Sequence, residues 1–340
     1  MRKLLNTLYV TTPEAYLSKD GMNVVISVKQ QEVFRIPSIN IEGIVTFGYM
    51  GASPGLMKLC SDNGISLTFL SPSGKFISRV QGGTHGNVLL RKAQYALSDD
   101  EAWSLHVAKL MVAGKIQNYR NILRRYIRDY GECQEVEQAA KLLDANKRHV
   151  LNAEDKTRLM GFEGIASNIY FGVLPNLILN QKEVFPFNGR NRRPPKDAVN
   201  AMLSLAYTLI ANDISAALET VGLDPYVGFL HSLRPGRASL ALDMLEEFRA
   251  YLGDRFVLSL INKRQISPKD FLYQGDNGVI LNENGRKTFI TAWQNRKRDT
   301  IIHSYLNEKV EIGLLPYVQT MMLARFIRKD IDDYPVFLIK

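Results

Sequence analysis

The sequence predicts an α+β protein, with a small N-terminal β-rich domain over residues 1–90 and a large C-terminal α-helical domain over 91–340. Three observations carry this. Short segments rich in β-branched and aromatic residues fill the first ninety or so positions, with a turn dipeptide at Asp20-Gly21. From about residue 98 the apolar period becomes that of helices bounded by caps and breakers. The chain has 340 residues, 46% hydrophobic and 23% charged, which are globular proportions with ample material for a core.

In order, "NTLYVTT" and "AYLSKDGMNVVISV" read as strands, and "QEVFRIPS" and "INIEGIVTF" continue the pattern. Ser53 as N-cap and Pro54 in the first turn open a short helix through Cys60. "ISLTFL" and "KFISRV" flank the turn "SPSG" as a hairpin, and "GGTHG" at 82–86 is a flexible connection. Ser98 and Glu101 form a capping box for a helix through "EAWSLHVAKLMVAGKIQNYRNIL". Further helices are expected over 133–149, 154–173, 197–220, 238–262, 286–305 and 315–330. A short turn opens at Ser267-Pro268 with Asp270, and a hairpin is expected around "NGVILNENGRKTF". No internal repeat or low-complexity tract is visible.

The net charge of +9 points either to a polyanionic partner, nucleic acid or an anionic membrane, or to a protein basic only for solubility. No apolar run approaches the roughly 20 residues of a bilayer span. No basic amphipathic helix with exposed aromatics supports a membrane-surface role. The N-terminus lacks the apolar core and cleavage site of a signal peptide. Two distant cysteines, Cys60 and Cys133, form no CxxC and are compatible with a reducing cytosol.

Within "GFEGIASNIYFG", Glu163 is a carboxylate among glycines and apolar residues, where Gly164, Ala166 and Ser167 would let another backbone approach. Such an acid is either a surface glutamate on an amphipathic helix or one ionised against a cation. His231 follows an apolar run and precedes Pro235-Gly236, as a core histidine or a ligand near a helix end. Asp243 and Glu246, at i and i+3, share a helix face close to Leu242, Leu245 and Phe248. A divalent cation would relieve their repulsion, whereas Glu247 is expected to pair with Lys or Arg in solvent. One imidazole with two or three carboxylates suits Mn²⁺ or Mg²⁺, with zinc ranking lower.

The positive charge gathers in three places. "FPFNGRNRRPPKD" holds Arg190, Arg192, Arg193 and Lys196 on a stiff loop, suited to phosphate oxygens or simply solvated, and Asp197 caps the next helix. Arg120, Arg124 and Arg128 recur every four residues on one helix, with tyrosines nearby that either stack on bases or pack. "QNRKRD" adds Arg296, Lys297 and Arg298. Three separated clusters suggest a track for long duplex DNA.

"GFEGIASNIYFG", "FNGRNRRPPKDAVNAMLSLAYTLIAND" and "GLDPYVGFLHSLRPGRASLALDMLEEFRAYLGDR" resemble successive motifs of the CRISPR-associated Cas-one family. "LLNTLYVTTPEAYLSKDG" and "GIVTFG" are similar to its N-terminal domain, and the likeness spans the chain, closest to the C subtype of type I systems. The resemblance implies a cytoplasmic prokaryotic DNA endonuclease and integrase dependent on Mn²⁺ or Mg²⁺. It would insert spacers into a CRISPR array, with Glu163, His231 and Glu246 as catalytic metal ligands and Asp243 as an alternate ligand or support. Arg237, inside the third motif, joins the candidate DNA contacts. The resemblance further implies a homodimer formed through the β-rich domain and a heterohexameric complex with the small Cas-two protein. The competing reading is a non-catalytic basic DNA-binding scaffold.

Overall fold

The computed structural model describes residues 7–12, 14–72, 74, 76–80 and 88–339. The expected "GGTHG" connection lies outside them. In the N-terminal part, β1 (Thr7–Val10), β2 (Ala15–Asp20), β3 (Asn23–Val28), β4 (Gln31–Pro37) and β5 (Gly43–Phe47) precede α1 (Pro54–Asp62). β6 (Ser66–Leu70) and β7 (Phe76–Val80) follow. Two sheets form, an antiparallel β2-β3-β4 meander and a mixed sheet ordered β1-β5-β6-β7. The hairpin joining β2 and β3 turns at Gly21, whose φ of +57° suits glycine. α1 is the crossover between parallel β5 and β6, and Ser53 caps it by accepting from Leu56 N at 3.2 Å. Leu17, Val24, Ile44, Leu56 and Leu67 form the core of this part. β5 is buried along its whole length, and its Val45 and Phe47 pack instead into the larger helical core.

The helical part comprises α2 (Val88–Asp99), α3 (Glu101–Tyr130), α4 (Gln134–Leu151), α5 (Lys156–Val173), α6 (Ala198–Val221) and α7 (Ser239–Phe248). A π-helical stretch, Arg249–Asp254, joins α7 to α8 (Arg255–Asn262). β8 (Phe271–Tyr273), β9 (Val279–Leu281), α9 (Glu283–Arg298), β10 (Thr300–Ile302), β11 (Lys309–Glu311) and α10 (Leu315–Ile327) complete the chain. Asp155 and Asp197 cap α5 and α6, accepting from Arg158 N and Asn200 N, both at 2.8 Å.

Some boundaries differ from expectation. Ser98 is no cap: α2 starts ten residues earlier, and Asp100 caps α3 by accepting from Trp103 N at 2.9 Å. The hairpin pairs "FLY" with "VIL", while Asn282 caps α9, accepting from Gly285 N at 2.9 Å, so "NENGRKTF" begins a helix. α9 ends at Arg298, and the segment expected to prolong it pairs as β10 with β11. α6 is, among the described residues, the one helix long and apolar enough to cross a membrane; 67% of its most apolar window is buried in the protein. It is the central helix of the core, which is why its polar stripe is so thin.

Candidate metal centre and nucleic-acid interface

α3, α5 and α7 bring one cation and two acids to a common point. Lys115 projects from α3, and its ammonium contacts Glu163 Oε1 from α5 and, at 2.7 Å, Glu246 Oε2 from α7. The lysine side chain is 3% exposed and that of Glu246 4%, against 26% for Glu163. Ser167, one turn beyond Glu163, donates to Glu163 Oε1 at 2.9 Å. Arg249 Nε lies 3.0 Å from Glu246 Oε2. Burial pushes the Glu246 carboxyl up, but Arg249 and Lys115 outweigh it and hold it at about 2. Both cations are in ion-pair range of Glu246 Oε2.

His231 reaches the same neighbourhood from the loop before α7. It lies close enough to Glu246 to act on that carboxylate electrostatically. Asp243 fixes the ring: its buried carboxylate accepts from Phe229 N at 2.6 Å, Leu230 N at 2.9 Å, His231 N at 3.0 Å and His231 Nδ1 at 2.6 Å. Both of its oxygens are thereby saturated. Asp243 thus holds both the loop backbone and the imidazole, and Nδ1–H donation leaves Nε2 the lone-pair nitrogen. Nothing among the described residues hydrogen-bonds Nε2. Gly228 makes this possible, because a Cβ there would stand 2.4 Å from Asp243 Oδ2 and 2.8 Å from Leu240 N. Buried Gln94 of α2 holds the loop from behind by donating to Asp224 O and Val227 O, each at 2.8 Å.

The three expected ligands are therefore drawn together without being closed round one ion. Among the described residues no three His, Cys, Asp or Glu side chains stand ready to hold a metal, and Lys115 takes the point shared by the acids. The expected close approach at Gly164 is absent too: a Cβ at Gly161 or Gly164 would meet nothing within 4 Å. Those glycines border open space beside Glu163.

A deeper polar layer lies under the acids. Tyr207 donates to Asp254 Oδ1, and its ring carries Arg249 at 4.7 Å and Arg190 at 5.4 Å. Burial raises Asp254 to about 6, partly offset by Tyr207 and the nearby cations Arg249, Arg190 and Lys115. Glu247 is not in solvent. It is fully buried, accepting from Tyr334 Oη at 2.5 Å, Phe337 N at 2.6 Å and Gln319 Nε2 at 2.8 Å, and burial raises it to about 7. The C-terminal segment that supplies these donors is also tied to α3, where Asn118 Nδ2 donates to both Glu247 O and Phe337 O. Lys115, Arg249, Tyr207 and Asp254 escape the sequence reading. The available signal was a lysine on an apolar face, between Met111, Val112 and Tyr119.

The family model described as CRISPR associated protein Cas1 matches residues 8–295. The chain belongs to the Cas1 family. A CRISPR-associated endonuclease Cas1 of Chlorobaculum tepidum is 48% identical to it over 341 residues, spanning 99% of each chain. A casposase bound to integration product superposes with a TM-score of 0.86 at 21% identity, over 98% of this chain and 93% of that one. A chain of a Cas6-RT-Cas1–Cas2 complex does so at 0.83 and 20% identity, over 99% of this chain and 36% of that one. At such identities these two structures establish the fold.

On this Cas1 scaffold the basic residues divide. Arg192, Arg193 and Lys196 are exposed on the loop before α6. Arg190 turns inward, donating to Asn200 Oδ1 at 2.7 Å and Ser204 Oγ at 3.1 Å, so it braces the loop. Arg237 donates to Ser232 O and Oγ, closing the turn after His231. The α3 stripe is largely neutralised: Arg120 and Arg124 face Asp144 at 2.6 and 3.7 Å, and Arg128 faces Asp129 at 3.0 Å. In the third cluster Arg296 pairs with Asp299 and Lys297 is buried on Asp213, both at 2.9 Å, which leaves Arg298 exposed.

Proposed function

We propose that Glu163, His231 and Glu246 form a divalent-metal centre at which DNA phosphodiesters are cut and joined. As a Cas1 protein the chain is a CRISPR-associated endonuclease and integrase of spacer acquisition; the metal and the roles of its residues are the reading added here. One observation carries it: carboxylates from two different helices meet at one buried cation, beside an imidazole whose free nitrogen is set by a carboxylate. That donor set fits Mn²⁺ or Mg²⁺. Such an ion, when bound, polarises a phosphodiester oxygen and stabilises the charge of the transition state.

The chain's own groups supply the rest. Arg249 keeps Glu246 ionised, and Asp243 keeps the His231 lone pair on Nε2. Arg192, Arg193 and Lys196 hold backbone phosphates without reading bases. The nucleophile is a DNA 3′-hydroxyl in joining and water in cutting, and no protein nucleophile is needed. The β-rich part, residues 1–90, mediates the homodimer, supported by the outward Val33 and Phe34 of edge strand β4 and by Ile39 at 91% exposure. The heterohexamer with Cas-two and a cytoplasmic location in a prokaryote belong to the same reading, as does the C subtype of type I.

Glu163→Ala and His231→Ala should abolish cutting and half-site joining of a labelled 3′-OH fragment to supercoiled target, with DNA affinity largely kept. Wild-type turnover of either variant in saturating Mn²⁺ would overturn the ligand assignment. DNA binding indifferent to EDTA, with no cleavage under any metal, would favour the scaffold reading instead.

A further inference from the structure

Lys115 poses a physical problem for any ion that binds between Glu163 and Glu246. A divalent cation and an ammonium cannot both sit at the point the two carboxylates share without strong repulsion. Lys115 is buried, so its charge cannot simply leave for water. A second seat is at hand. The ammonium is already 5.6 Å from the centroid of Tyr119, one helical turn on, a distance at which an aromatic face attracts a cation. That ring is held flat against Tyr170, with centroids 3.8 Å apart and planes 9° from parallel.

Beyond it lies Asp254, close enough for the Lys115 charge to lower it. Asp254 Oδ2 is buried and out of ideal hydrogen-bond geometry, with the Tyr170 hydroxyl its neighbouring donor. A buried carboxylate oxygen held by so poor a bond is costly, and a cation would satisfy it.

We propose that Lys115 is the resident counter-cation of the acid pair, and that a divalent ion entering between Glu163 and Glu246 drives its ammonium to a second seat formed by the Tyr119 face and Asp254 Oδ2. This rests on the metal reading above. The lysine holds the two acids in register while no ion is bound. Its displacement sets the metal affinity, which makes Lys115 and Asp254 positioning residues for the centre.

The test uses the full chain without DNA and Mn²⁺ alone as ligand, titrated by electron paramagnetic resonance of the free ion. Lys115→Met removes the competitor and should bind Mn²⁺ about tenfold more tightly than wild type. Asp254→Asn removes the second seat and should bind about tenfold more weakly. In the double variant the Asp254→Asn penalty should vanish, because no ammonium needs the seat. Weaker or unchanged binding by Lys115→Met, or an Asp254→Asn penalty that survives in the double variant, overturns the proposal. Should Lys115→Met fail to fold, Asp254→Asn decides alone, since it keeps the lysine pair: unchanged affinity refutes the second seat. If wild type binds no Mn²⁺ and Glu163→Gln changes nothing, the metal reading itself has failed, a result distinct from either.

Discussion

Asp243→Asn separates a support from a ligand. Asp243 Oδ2 accepts from Phe229 N and Leu230 N, and Oδ1 from His231 N and Nδ1. An asparagine presents one oxygen and one NH₂, so whichever way it lies the NH₂ faces two buried donors. An unsatisfied buried donor costs about 1–3 kcal/mol, which puts the loss near ~3 kcal/mol. At about 2.1 cal/mol/K per residue, a chain of 340 residues loses roughly 1.4 °C per kcal/mol, hence about 4 °C in Tm. If the NH₂ takes the His231 side, the imidazole relieves the clash by accepting at Nδ1. The proton then moves to Nε2, and a ring that could donate a lone pair to a metal no longer does. Mn²⁺ affinity should fall about 10–100-fold, as for other disrupted partners of metal-bound histidines. Differential scanning calorimetry without metal and Mn²⁺ titration read the two effects. A direct ligand would lose affinity with Tm intact; a metal-free Tm within 1 °C or so of wild type would refute the supporting role.

Gly228→Ala should destabilise by about 3 kcal/mol in urea titration, because two of the three atoms its Cβ would crowd are backbone of the α7 start and cannot rotate away. Glu247 has a folded-state pKa raised from 4.5 to about 7, so its contribution to stability is full below pH 4.5 and is lost as pH rises toward 7. Asp254, raised from 3.8 to about 6, acts in the same direction, whereas Glu246, lowered to about 2, loses its contribution only on acidification. Glu247→Gln keeps an acceptor for Phe337 N and Gln319, so it should flatten the stability profile between pH 4.5 and 7; an unchanged slope in urea midpoints would contradict this. Reversing Arg192 and Arg193 to Glu should reduce the salt slope of DNA binding by about one unit per lost phosphate contact, while Arg190→Ala should lower Tm and leave the slope alone.

What could be read in the sequence was local. Ser53 and Asp197 announce their helices because a cap and the amide it satisfies lie three residues apart. The shared face of Asp243 and Glu246 follows from helical spacing alone. What failed was set by segments distant along the chain. Glu247 looks solvent-bound until residues 334–337 fold back and, with Gln319 of α10, supply three donors. Arg190 looks like a phosphate ligand until Asn200 and Ser204 of α6 turn it inward. Lys115 meets Glu163 from 48 positions away, a contact that no window on the sequence contains. The displaced hairpin has another cause: "VIL" and "NENG" adjoin, and the turn residues there cap a helix instead of reversing a strand.

The three acids of α7 show three ways of compensating a buried carboxylate. Asp243, Glu246 and Glu247 are all buried, and each meets the cost of desolvation differently. Asp243 spends both oxygens on backbone N–H groups and an imidazole. Glu247 is surrounded by neutral donors, which is why its carboxyl rises to about 7. Glu246 is compensated by formal charges, Lys115 and Arg249, which hold its carboxyl at about 2 against the effect of burial. Burying such a cluster contributes little to stability compared with packed hydrocarbon. Glu246 is thus the one of the three acids held by formal cations, and its partner Lys115 also touches Glu163.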